Sequence, residues 1–150
     1  MFGLGLGLAL GANARNWPSW RGDLAGSGLA KGETVPLKWD TKRNVRWRVP
    51  LPDRGNSSPI VWGEKVFITQ ATDSDKRRTV MCFDKRTGEL LWRTGVTYTK
   101  AEKTHKTNPY CSGSPATDGR VVVANYASAG IAAYDLDGQQ LWSRDLGPQE

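Results

Sequence analysis

The chain has 150 residues, a formal net charge of +6 from 21 Lys and Arg against 15 Asp and Glu, a hydrophobic fraction of 38 % and seven tryptophans. That much apolar and aromatic material excludes a disordered tail and requires a buried core. The longest apolar run, residues 2–12, is about half the ~20 residues that a membrane-spanning helix needs, which argues against a transmembrane segment.

Taken in chain order, residues 1–14 come first. The apolar run ends in Ala12-Asn13-Ala14, a small-x-small pattern, so this stretch reads as a secretory signal with Arg15 as the first residue after cleavage. A periplasmic or secreted destination follows. No basic segment precedes the run, and a packed or disordered arm is the alternative. Gly3, Gly5, Gly7 and Gly11 miss the spacing of a dinucleotide loop. Residues 15–43 read as an extended arm, and Asn44-Val45-Arg46-Trp47-Arg48-Val49 as a single strand-like run.

A repeat begins at residue 58. Ser58-Pro59-Ile60-Val61-Trp62-Gly63 and the apolar run after it overlay Ser114-Pro115-Ala116-Thr117-Asp118-Gly119 and its own apolar run, in a register of 56 residues. Further on, Cys82-Phe83-Asp84-Lys85-Arg86-Thr87-Gly88-Glu89-Leu90-Leu91-Trp92 overlays Ala133-Tyr134-Asp135-Leu136-Asp137-Gly138-Gln139-Gln140-Leu141-Trp142, which is one residue shorter in the turn. Trp47, Trp92 and Trp142 stand 45 and 50 residues apart, the period of a propeller blade. Within the copies, residues 59–62, 65–70, 79–84 and 89–94, then 115–117, 120–126, 131–135 and 140–145, are β-rich runs separated by turn residues. Gly63, Gly88, Gly119 and Gly138 supply the positive φ that short hairpins need. The pattern predicts an all-β fold, a partial β-propeller of four-stranded antiparallel blades over 44–150, with two complete blades and one orphan outer strand.

A meander of this kind gathers its connections at two ends. Residues 50–58, 71–78, 95–114 and 127–130 fall at the end opposite the short hairpins, and long loops tend to carry binding residues. The longest holds His105, Asn108 and Tyr110, the candidate ligand-binding residues, for which loop packing is the alternative reading. Cys82 and Cys111 make no metal-ligand or Cys-x-x-Cys spacing and are expected as small buried residues, although one disulfide is arithmetically open. A single histidine cannot build a multi-histidine zinc site, and no metal site is expected. The run Lys76-Arg77-Arg78 has Asp73 and Asp75 beside it, so it reads as a solvated loop and not as a nucleic-acid patch.

The segment Cys82-x-Asp84-x-x-Thr87-Gly88-x-x-x-Trp92, with its second copy Ala133, Asp135, Gly138 and Trp142, resembles the tryptophan-docking motif of pyrroloquinoline-quinone-like (PQQ-like) β-propeller repeats. Cys82 stands in the first copy where the motif has alanine. Residues 57–63, the Asn108 to Gly119 stretch and Trp17-Pro18-Ser19-Trp20-Arg21-Gly22 are similar to exported bacterial members, so the likeness covers about residues 17–147. The resemblance implies a structural role for Asp84, Gly88, Trp92, Asp135, Gly138 and Trp142: each aspartate bonds turn amides and each tryptophan packs on the next blade. It also implies two functions. One is a cofactor-free binding or scaffold module, with a protein or small-molecule ligand on the long-loop face. The other is the N-terminal part of a quinoprotein dehydrogenase, using PQQ and calcium held mostly by residues beyond 150. Since a closed propeller takes about four to eight blades, the remaining blades are further expected partners.

Overall fold

The computed structural model describes residues 16–23, 25–30, 36–74, 76–100 and 102–149. The signal-like segment 1–14 lies outside them. Among the described residues, eight strands form two four-stranded antiparallel sheets, each a meander in sequence order. The first contains β1 (Ile60–Trp62), β2 (Lys65–Thr72), β3 (Arg77–Asp84) and β4 (Leu90–Thr97). The second contains β5 (Ala116–Thr117), β6 (Val121–Asn125), β7 (Ile131–Asp135) and β8 (Gln140–Arg144). A single 3-10 turn at Ala127–Ala129 joins β6 to β7.

Strand pairing explains which residues are buried. Phe67 lies opposite Cys82, and Thr69 opposite Val80, so these four share one sheet face. On the second sheet Val122 faces Tyr134 and Ala124 faces Ala132. These apolar sets form one continuous core cluster with Ile60, Tyr126 and Cys111, which places the core between the two sheets. Both cysteines are buried, and desolvation pushes the Cys82 thiol up to about 12.

The seam is repeated in detail. The Trp92 indole lies over Gly138, where a Cβ would sit 2.6 Å from the ring, and its Nε1 donates to the Leu136 carbonyl at 3.1 Å. Trp47 takes the matching seat one blade earlier: it covers Gly88, where a Cβ would sit 2.7 Å from the ring, and donates to the Lys85 carbonyl at 2.9 Å. Gly88 and Gly138 have φ of 77° and 89°, so both the backbone angle and the indole contact require glycine. Residues 45–49 run without strand pairing, and Trp47 ties them to the turn between β3 and β4. Trp142 is 45 % exposed.

The turn aspartates accept from amides of their own turns. Asp84 Oδ1 receives the Arg86 and Thr87 amides and the Thr87 hydroxyl, and Asp135 Oδ1 receives the Asp137 and Gln139 amides. The amide and hydroxyl of Thr87 hold the Asp84 carboxyl below its ordinary value of 3.8. A carboxylate depressed in the folded state stabilises fully above the unfolded value and loses that effect as pH falls through the folded one. The difference in melting temperature between the natural chain and Asp84→Ala is therefore expected to shrink as pH drops below about 3.8. Thermal unfolding followed by circular dichroism from neutral to acid pH checks this, and a constant gap would contradict it.

Two local expectations need correction. Residues 71–78 are not a long loop: β2 runs to Thr72 and β3 starts at Arg77, leaving a tight turn in which Asp73 and Ser74 have positive φ. Likewise β4 continues to Thr97, so the long connection starts at residue 98. The polar ends of these strands break the apolar alternation, yet they pair because Gly95 permits close approach. A Cβ there would lie 2.0 Å from the Arg78 carbonyl oxygen.

Candidate functional site

The connection from β4 to β5 crosses the end of the sheets opposite the short hairpins. A buried cation fixes its course. Arg78, at the start of β3, faces the core side and is 1 % exposed. Its guanidinium lies 3.8 Å from the Tyr110 ring centroid and 5.8 Å from that of Tyr98, and reaches Glu102 Oε2 at 3.2 Å. Stacking on an aromatic face suits a planar, weakly hydrated guanidinium, and the carboxylate compensates its charge. Arg78 is thus no part of a solvated basic run. The tyrosines and the glutamate that bury it lie 20 or more residues further along the chain, and local spacing gives no signal of them.

The candidate residues meet at one place. His105, Asn108 and Tyr110 line a cleft of about 270 Å³, together with Cys111, Asn125 and Tyr126. His105 and Asn108 are exposed on its rim, and the Asn108 amide donates to the His105 carbonyl at 2.8 Å. His105 Nδ1 pairs with the Thr107 hydroxyl at 2.7 Å. Tyr110 is half-buried, with its ring on Arg78 and its hydroxyl donating to the Glu102 carbonyl at 2.8 Å. It therefore shapes the wall of the cleft, whereas His105 and Asn108 are exposed at its rim. At the floor, Tyr126 and Tyr134 share a hydroxyl contact of 3.2 Å, and burial followed by the neighbouring hydroxyl pushes Tyr126 well above its ordinary range.

Neighbouring segments brace the cleft. Thr69 Oγ1 donates to the Cys111 and Gly113 carbonyls, and the Ser58 amide donates to Ser114 Oγ at 2.8 Å, so equivalent residues of the two repeats bond each other across the seam. At the inner strands, Trp17 pairs with Val61 in both directions, at 2.7 and 2.9 Å, and the Pro18 carbonyl accepts the Thr117 amide at 2.9 Å. The Trp-Pro segment therefore clamps β1 to β5. Its chain distance from both strands hides this role in the sequence.

Calcium takes about six to eight oxygen ligands, but among the described residues no three His, Cys, Asp or Glu side chains come together to hold a metal. Asp84, Asp118 and Asp135 each accept amides of their own turns. No helix among the described residues is long and apolar enough to cross a membrane.

The sequence model of the family described as outer membrane protein assembly factor BamB, a family of PQQ-like repeats, matches residues 18–150. No curated protein matches the chain.

Proposed function

We infer that this chain, which belongs to the outer membrane protein assembly factor BamB family of PQQ-like β-propeller repeats, is an exported protein-interaction module without a redox cofactor. On this reading it serves the assembly of outer membrane proteins, and its working surface is the long-loop face. The observation that supports it is the braced cleft at that face. A buried Arg78–Tyr110–Glu102 knot holds the loop against the blade while leaving His105 and Asn108 exposed at the rim. Rigid placement of polar loop groups lowers the ordering cost of binding a partner.

Photo-cross-linking tests it. With a photoreactive residue at position 105 in the full chain, expressed in a Gram-negative host, cross-links to an outer membrane assembly protein are expected; the same residue at position 86, at the opposite end, gives none. The alternative function is a quinoprotein dehydrogenase. Dye reduction by the chain on addition of PQQ and calcium would overturn the interaction reading.

A further inference from the structure

The long connection stands out from the surface as a closed knuckle. The Tyr110 hydroxyl donates to the Glu102 carbonyl and accepts the Glu102 amide at 3.4 Å, so residues 102–110 form a loop whose ends meet. Asn56 Nδ2 donates to the Thr107 carbonyl at 2.8 Å and ties the tip to the segment before β1. Lys103, His105 and Lys106 are exposed, and neither lysine enters an ion pair among the described residues. One flank of the knuckle is the cleft already described. The other is a cleft of about 390 Å³ lined by Asp53, Arg54, Gly55, Asn56, Lys106 and Pro109. Beneath Gly55 lies Gln70, 1 % exposed, whose Oε1 has no hydrogen-bond partner and sits 3.7 Å from where a Cβ of residue 55 would be.

We propose that this knuckle seats an extended acidic segment of a partner protein, with its carboxylates against Arg54, Lys106 and Lys103. The proposal rests on the interaction reading above and names the partner's chemistry. Charge selects the sign: Arg54, Lys103 and Lys106 outnumber Asp53, the acid that lines the same cleft, and Glu102 is neutralised by Arg78 at 3.2 Å. A locally basic knuckle attracts an anionic partner. Its remaining chemistry selects protein over nucleic acid. Single-stranded nucleic acid needs aromatic faces for stacking, and the rings of Tyr98 and Tyr110 are committed to Arg78. The Thr107 and Asn108 amides, which a phosphate would use, already donate to His105. An unpartnered acceptor under the cleft suits a peptide backbone, which brings N–H groups.

The test measures anisotropy of a fluorescein-labelled peptide of alternating glutamate and glycine, titrated with the full chain. Binding that weakens as salt rises is expected, with a loss of about tenfold or more in affinity for the double variant Arg54→Glu/Lys106→Glu. These positions are exposed, so the variant is expected to keep the melting temperature of the natural chain. Charge reversal at the far end, Arg86→Glu/Arg120→Glu, is expected to leave affinity within about twofold. Equal losses from both double variants, or no loss from the first, would overturn the proposal. So would oligothymidylate binding as tightly through Arg54 and Lys106. If cross-linking from position 105 persists while the acidic peptide fails to bind, the acidic-segment proposal falls and the interaction reading stands.

Discussion

Trp92→Ala is expected to destabilise the chain by about 3 kcal/mol, a drop of roughly 6–12 °C in melting temperature for a chain of this size. The indole contributes three things at one seam: a flat apolar face over Gly138, a ring contact with Phe67 at 5.8 Å between centroids, and an Nε1 hydrogen bond to the Leu136 carbonyl. Alanine removes all three and leaves a void between the blades. Gly138→Ala attacks the same seam from the other side, because its Cβ would strike the indole and its φ of 89° is unfavourable for any residue with a Cβ. The two changes share one contact, so their effects are expected to fall short of additivity when combined. Denaturant unfolding of the single variants and the pair checks this. Full additivity would mean that Trp92 stabilises the chain through something other than Gly138.

Arg78→Met is expected to cost a similar amount, about 3 kcal/mol. The methionine keeps apolar volume but leaves Glu102, whose side chain is 16 % exposed, without its cation, and it takes the guanidinium plane off Tyr110. Arg78→Lys is expected to recover only part of the loss, since an ammonium keeps the charge but cannot stack as a plane. Arg78 acts on the cleft through Tyr110 and Glu102, so it is a positioning residue and its loss must show in the loop itself. Trypsin supplies that readout. Cleavage after Lys103 or Lys106 under native conditions is expected to speed up by about tenfold or more in Arg78→Met. An unchanged digestion rate at those lysines would show that the loop keeps its place without the buried cation.

Much of the fold is legible in the residues. Eight strands, their order, the hairpin glycines and the capping aspartates all follow from a repeat whose two copies can be laid side by side. Each of these features depends on residues within about ten positions of each other, where turn chemistry and strand alternation act. The strand ends were harder to see. Thr72, Arg77 and Arg78 look like loop because they are polar, yet they pair in full register as Thr72↔Arg77 and Ala71↔Arg78. Their pairing is sustained by long-range burial under Tyr98 and Tyr110.

The candidate site divides in the same way. The sequence by itself determined that a long, lysine-bearing connection with His105, Asn108 and Tyr110 lies at the end away from the tight hairpins, because a meander must turn alternately at its two ends. Only the tertiary structure decided that the Tyr110 ring stacks on Arg78 in the cleft wall, that Arg78 is a buried anchor, and that Trp17-Pro18 joins the inner strands of both blades. The physical reason is common to all three. A cation–π stack, a compensated buried charge and a backbone bridge between sheets are each made by residues far apart in the chain, and no local pattern records which of them will meet.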